Sequence, residues 1–496
     1  MSELPGSITI DRSLVSGLAW MAMLRWASQI ISWAATFYAA RMLTPGDFGL
    51  VAMAMLAIGL ARMVQEFGLD AILVQDRSIV GKTRARLAGL LVAFGIFLFV
   101  LYALLSPLVA GFFKEPRVAV IVVALSLLFI FDSIQIVSYA QLQRDLQFRR
   151  LAIVMFVQVI VASVALATAV TLGLGLWSLV VNHLAGELAV TILLLAWAPY
   201  AIAWPSEIMK LARPLLQGWR MLVSRIVWYG YRSADQTIIG RMLGKDLLGA
   251  YSFALTFSTI AQQEIGSVMS RVVPGVFSEV QDRPEELRRY FLLLTEALTI
   301  LAFPVTIGFA LLADMLVPLI LGDQWFAVVA PLRWLCLYSA FLSSQTLVSH
   351  VLVWTGQFRV NMWCSILAGV TIPLALLVAV RFGLEGIGMA WALVFPLVSV
   401  PACFFAFRTI RISVWDWLDS LWPATVGCVA MTIAVLSVRT VVSPALPLGG
   451  QTAIAIATGA LVYPAVLWFF FSRRVRTMID LAMSLRSRPA AGGVSV

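Results

Sequence analysis

Long apolar runs alternate with short polar turns along the whole chain. Each run approaches or exceeds the roughly 20 residues needed to cross a bilayer as a helix. Fourteen runs are predicted as transmembrane helices, at roughly 14–40, 48–67, 86–106, 118–140, 150–171, 175–198, 214–240, 248–277, 288–312, 326–354, 360–381, 386–407, 418–438 and 450–471. The connecting loops are short, so none predicts an extramembrane domain. The segment 204–214, WPSEIMKLARP, reads as a short interfacial helix with Trp204, Ile208 and Leu211 toward lipid.

A second pattern lies over the first. Sliding the chain by 200 residues brings span 1 onto span 7 without a gap. Identical pairs are Met21/Met221, Arg25/Arg225, Ala34/Ala234, Arg41/Arg241, Met42/Met242, Leu43/Leu243, Gly49/Gly249 and Ala54/Ala254. The repeat unit holds an even number of spans, so both copies share one orientation. This predicts an all-α polytopic membrane protein with two six-helix lobes in a parallel pseudo-repeat and two helices appended. The expected divisions are an N-terminal lobe 1–200, a C-terminal lobe 201–412, helices 13 and 14 within 413–475 and a cytoplasmic tail 476–496. Parallel repeats of this kind are common in secondary transporters, with the substrate site near the midplane.

Composition strengthens this reading. Of the 496 residues, 61% are hydrophobic and 12% charged, and the mean hydropathy is +0.95. A soluble domain carries about 25% charged residues, so a soluble enzyme is excluded. The net charge of +10 would suggest a polyanion partner in a soluble protein. Here topology accounts for it: the loops on the N-terminal side carry 21 Lys and Arg, the opposite loops 7. The positive-inside rule places both termini in the cytoplasm, and no nucleic-acid partner is needed. The N-terminus lacks the basic region of a cleaved signal peptide. Cys336, Cys364, Cys403 and Cys428 lie scattered in apolar stretches, so neither a metal site nor a disulfide framework is expected.

Charged residues inside the spans are the candidate chemistry. On span 1, Arg25, Gln29, Ser32 and Thr36 recur at helical spacing and share one stripe. On span 7, Arg225, Tyr229, Arg232 and Gln236 occupy the same offsets, and Asp235 lies within one turn of Arg232. Eleven residues from the cytoplasmic ends, at 1.5 Å each, put Arg25 and Arg225 about 16 Å deep. An arginine there costs about 2.5–3.5 kcal/mol on insertion scales, so it faces a hydrated cavity or an anion. Arg62, Arg220 and Arg271 lie near cytoplasmic ends and are expected to snorkel to the headgroups. Arg333 sits two turns in from the opposite side and is taken as a further substrate candidate. Asp132, Glu187, Asp235 and Glu264 are candidates for ion coupling, to protons or sodium, or for arginine counter-ions; Glu296 also falls in a span. His183 and Glu187, four residues apart, read either as an acid–base pair or, the preferred reading, as a hydrogen-bonded helix pair. The resulting cavity is mildly cationic, which suits a phosphate-bearing substrate.

Several stretches carry a family likeness: FGLDAILVQ (67–75), AQLQRDLQFRRLA (140–152) and GLGLWSLV (173–180) in the first half, then SADQTIIGRMLGKDLLGAYSFAL (233–255), RVVPGVFSEVQDRPEELRR (271–289), LGDQW with PLRWL (321–335) and GLEGIGMAWAL (383–393). In this order the chain resembles the Wzx-type polysaccharide flippases of the multidrug/oligosaccharidyl-lipid/polysaccharide exporter superfamily. The resemblance implies two lobes around a central cavity, cation-coupled rocking, and helices 13 and 14 forming a groove for a lipid tail. It implies translocation of an undecaprenyl-diphosphate-linked oligosaccharide to the outer leaflet, alongside a polysaccharide polymerase and co-polymerase. On the residues, Arg25 and Arg225 would hold the diphosphate, with Arg232 and Arg333 assisting and Gln29 and Gln236 near sugar. No GxxxxGK[ST] motif is present and no cofactor is called for. Two alternatives remain: a drug or small-cation exporter on the same scaffold, and a membrane glycan polymerase.

Overall fold

The computed structural model describes residues 8–66, 81–204, 226, 228–280, 283–441 and 446–487. Among the described residues there are fourteen α-helices and no strand. In chain order they are α1 (Ile8–Met42), α2 (Pro45–Glu66), α3 (Gly81–Phe113), α4 (Arg117–Arg144), α5 (Phe148–Thr171), α6 (Trp177–Trp197), α7 (Ala234–Met242), α8 (Lys245–Val280), α9 (Pro284–Ile320), α10 (Val329–Trp354), α11 (Phe358–Ala379), α12 (Gly383–Thr409), α13 (Val414–Val441) and α14 (Leu448–Ser487). Each falls on one predicted span, but α7 covers only the last part of the seventh, 214–240; residues 228–232 are helical as well, and 214–225 lie outside the described residues. The backbone leaves helical geometry at Phe471, where the fourteenth span is predicted to end, and helix continues beyond it. Ten described stretches, from Pro45–Gln65 to Leu448–Arg476, are long and apolar enough to cross a membrane; one of them, Phe358–Thr409, covers α11 and α12. The interfacial helix expected at 204–214 lies outside the described residues, apart from Trp204.

The repeat is visible in the helix ends. α1 ends at Met42 and α7 at Met242, while α2 begins at Pro45 and α8 at Lys245. A second register, offset by 210, appears at the turns after α4 and α10. There the N–H of residues 145, 146 and 147 donates to the carbonyls of 141, 143 and 142, and the N–H of 355, 356 and 357 to those of 351, 353 and 352. Both turns pass through the left-handed region, at Leu146 (φ 55°) and at Gly356 (φ 76°). Only glycine enters that region without a Cβ clash. Leu146→Gly is therefore expected to stabilise the protein by about 1 kcal/mol, read as a higher unfolding temperature in detergent. An unchanged or lower temperature would show that Leu146 packs usefully where it stands.

The chain divides into two compact units, Met1–Ala250 and Tyr251–Val496. The repeat arithmetic puts its boundary at 200; the compact unit runs further because α7 packs on α2 and α3. Tyr229 Oη donates to the Leu56 carbonyl, Lys245 pairs with Glu115 at 3.0 Å, and Arg241 donates to the carbonyls of Gly111 and Phe112 at the end of α3. In the second unit α9, α10, α12 and α13 share a core of Phe291, Leu298, Leu347, Val351, Phe407 and Trp417. The appended pair α13–α14 packs on α9 through Met315, Met431, Val435, Tyr463 and Leu467. Arg474 on α14 joins it by bonding Asp419 at 2.7 Å and lying 3.7 Å from Glu296. Large apolar side chains cover the outside as well: Trp363, Leu397 and Phe469 are exposed, as lipid contact requires.

Candidate functional site

The polar groups of the first unit start on α1. Arg25 is exposed, and Gln29, Ser32 and Thr36 are half-buried along the same stripe. α1 lies along α5, and α5 along α6. The three helices enclose a cavity of about 270 Å³, reached by Ser32 and Thr36 from α1, Gln158 from α5, and Asn182, His183 and Glu187 from α6. Helices this apolar come together at small residues. At Gly186, an added Cβ would sit 3.1 Å from the Ala162 Cβ.

Behind the cavity stands a charged cluster. Arg62 of α2 binds Asp132 of α4 with two parallel bonds, Nε to Oδ2 and a terminal nitrogen to Oδ1, both 2.7 Å. The same terminal nitrogen donates to Glu187 Oε1 at 3.1 Å. Gln135 of α4 donates to the Glu187 carboxylate at 3.1 Å, to its backbone carbonyl at 3.1 Å and to Thr191 at 3.0 Å. One turn from Arg62, Gln65 donates to the Phe129 carbonyl and to Ser133. The cluster ties α2, α4 and α6 together in apolar surroundings, where bidentate charged pairs are strongest.

Two sequence expectations are corrected here. Arg62 does not snorkel; two acids on facing helices lie at its own level, and binding them satisfies three charges at once. Glu187 does not pair with His183; its oxygens are taken by Arg62 and Gln135.

The other predicted residues fall as follows. Arg232 is exposed and lies over the Trp228 ring at 5.2 Å, while buried Asp235 accepts the Gln236 backbone N–H at 2.7 Å. Gln236 is half-buried. Arg333 of α10 binds Asp314 of α9 at 3.1 Å, and Arg439 of α13 takes the other oxygen of the same carboxylate at 2.5 Å. Arg220 and Arg225 lie outside the described residues, as do the side chains of Arg271 and Glu264. The sequence reading passed over Gln65, Gln135, Gln158 and Asn182. The available signal was amides inside otherwise apolar spans, each of which needs a hydrogen-bonding reason to be there. Among the described residues no three His, Cys, Asp or Glu side chains come together as a metal site.

These features define an all-helical, multi-pass membrane protein with a polar interior in its first unit. The chain belongs to the polysaccharide biosynthesis protein family, whose model matches residues 39–330, more than half of its length. It is 23% identical to the lipopolysaccharide biosynthesis protein WzxC of Escherichia coli (strain K12), over 84% of this chain and 85% of that one. It is 24% identical to the teichuronic acid biosynthesis protein TuaB of Bacillus subtilis (strain 168), over 92% and 95% of the two chains. With the succinoglycan biosynthesis transport protein ExoT of Rhizobium meliloti (strain 1021) it shares 24% identity over 92% and 93%. Its fold is similar to that of the lipid II flippase MurJ in an inward closed conformation, with TM-score 0.72 at 12% identity over 92% of this chain and 100% of that one. An inward-facing MATE family transporter of the MOP superfamily is also similar, with TM-score 0.61 at 12% identity over 77% and 94%.

Proposed function

We propose that this protein is a flippase for a lipid-diphosphate-linked oligosaccharide, moving it from the inner to the outer leaflet of the cytoplasmic membrane by alternating access. The observation that carries the reading is Arg25, exposed midway along an apolar helix and continued by Gln29, Ser32 and Thr36, in a chain of a polysaccharide biosynthesis family. Burying glycan hydroxyls or a diphosphate in hydrocarbon costs several kcal/mol per unpaired group. A protein lowers that barrier by offering hydrogen bonds and cations on a path open to one side at a time, while the polyprenyl tail stays in lipid. Arg25, and Arg225 by the repeat, hold the diphosphate; Arg232 and Arg333 supply further positive charge. The substrate leaves chemically unchanged, so this reading involves no catalysis and no cofactor. Energy comes from proton or sodium coupling through Asp132, Glu187, Asp235 or Glu264, or from downstream use of the product by a polymerase and co-polymerase. Both termini lie in the cytoplasm, as the loop charges require.

The test is leaflet exposure in sealed proteoliposomes loaded with a lipid-diphosphate oligosaccharide. An impermeant oxidant reads glycan on the outside only. Intact protein is expected to expose nearly all of the lipid, and Arg25→Ala/Arg225→Ala, still folded, only what started outside. Full exposure by both proteins would keep the flippase and remove the arginines from its site. No exposure above protein-free vesicles, with an ion gradient imposed and several glycans tried, would end the flippase reading.

A further inference from the structure

The cavity between α1, α5 and α6 contains groups that the charged cluster does not use. Among the described residues, the side chains of Ser32, Thr36, Gln158, Asn182 and His183 make no hydrogen bond to other protein groups. All five side chains are half-buried, so their polar groups remain accessible from the cavity. Two hydroxyls, two amides and an imidazole converging on one space offer donors and acceptors to an occupant that hydrogen-bonds.

The chemistry of the wall narrows the occupant. The one charged lining residue is Glu187, so nothing there attracts a phosphate. Gln158, Asn182 and His183 bring N–H donors as well as acceptors, and donors are wasted on a metal cation. The volume of about 270 Å³ corresponds to about nine water molecules at ~30 Å³ each, far more than an ion between close oxygen ligands needs. It is slightly below the ~300 Å³ at which drug-sized pockets begin, a size suited to one sugar ring. Sugar hydroxyls both donate and accept, and amides beside a carboxylate match them.

Position along α1 supports the same conclusion. Ser32 and Thr36 are seven and eleven residues beyond Arg25, hence about 10 and 16 Å along the helix axis. A diphosphate held at Arg25 would bring the sugars attached to it to this level. We infer that the cavity is a recognition pocket for one neutral pyranose of the transported glycan, a reading that rests on the flippase function above. Gln158, Asn182 and His183 select its hydroxyls, and Glu187 orients it from the edge of the charged cluster.

Calorimetry on the full chain in lipid nanodiscs tests this. The probes are the methyl glycosides of glucose, galactose, mannose and N-acetylglucosamine, which carry neither lipid nor phosphate. Intact protein is expected to bind at least one of them saturably, with affinity on the order of millimolar. Asn182→Leu and Thr36→Val each remove a hydrogen-bonding group from the wall without adding bulk at the close approach of Gly186 and Ala162; each is expected to weaken binding at least about tenfold while the unfolding temperature holds. Absence of binding to all four glycosides would overturn the proposal, as would binding that neither variant changes. Radioactive sodium bound by intact protein and lost in Asn182→Leu, without sugar binding, would reassign the cavity to a cation. The leaflet assay keeps the two readings apart. Intact protein that exposes glycan but binds no glycoside sinks the pocket alone; glycoside binding without exposure sinks the flippase alone.

Discussion

Gly49→Val is expected to prevent stable folding. An added Cβ at Gly49 would lie 1.8 Å from the Lys245 carbonyl oxygen and 2.6 Å from its carbon. The repeat-related position mirrors it: a Cβ on Gly249 would lie 1.9 Å from the Pro45 carbonyl oxygen. The first turns of α2 and α8 thus meet backbone to backbone, at positions 200 residues apart in the sequence. Close approach at small residues is the main way apolar helices associate in lipid, because hydrophobic burial gives no net drive there. No rotamer relieves a clash with a main-chain carbonyl, so the helices must separate. Overpacking costs about 1–3 kcal/mol and sometimes more, and a backbone obstacle belongs at the upper end. The expected result is a loss of monodisperse protein on size exclusion. Gly308→Ala, in α9 with nothing within 4 Å of the added Cβ, is the contrast. Alanine exceeds glycine in helix propensity by about 1 kcal/mol, so that variant is expected to be neutral or stabilised. Monodisperse Gly49→Val protein with the parent's unfolding temperature would mean that α2 and α8 do not meet in this way.

Arg62→Met is expected to have the next largest effect. It leaves the Asp132 and Glu187 carboxylates, 15% and 14% exposed, without the guanidinium they share. Removing one partner of a buried charged pair costs about 3–5 kcal/mol; Arg62 is itself 31% exposed, so about 3 kcal/mol is the appropriate figure. The measurement is thermal unfolding in detergent. Arg62→Lys keeps the charge but loses the two parallel bonds, and should fall between parent and Met variant. The triple variant Arg62→Met/Asp132→Asn/Glu187→Gln removes charge from all three and should recover most of the loss. Recovery would show that isolated charge, rather than lost packing, causes the damage. If Arg62→Met unfolds at the parent's temperature, the cluster is not what holds α2, α4 and α6 together.

The two predictions differ in how much of each could be read from sequence. Gly49 and Gly249 stood out as an identical pair at the repeat offset. Their contact was not legible, because a repeat fixes equivalence and not which equivalent positions touch. Arg62 was visible as a charge in a span, yet the nearest headgroups offered a simpler explanation than two acids 70 and 125 residues away. The pocket groups were harder still. Gln158 and Asn182 lie on different helices, and neither belongs to a spaced motif. Arg333 shows the same limit, since its partner Asp314 is shared with Arg439, more than a hundred residues further on.

The number of helices, their order and the 200-residue offset that relates the ends of α1 and α7 follow from local composition and spacing. Lipid imposes this legibility: every spanning segment must be long, apolar and internally hydrogen-bonded, and each requirement is met within about 20 consecutive residues. The tertiary structure decided which face of each helix looks inward. In a soluble protein the apolar face marks the core, but here lipid-facing and core-facing surfaces are equally apolar. Trp363 is 64% exposed and Trp391 is 6% exposed, although both stand inside apolar helices. The partners of Arg62, the backbone contact at Gly49 and the convergence of Gln158, Asn182 and His183 on one cavity are lateral relations between helices. Helical periodicity carries no record of such relations when both sides of a helix are greasy.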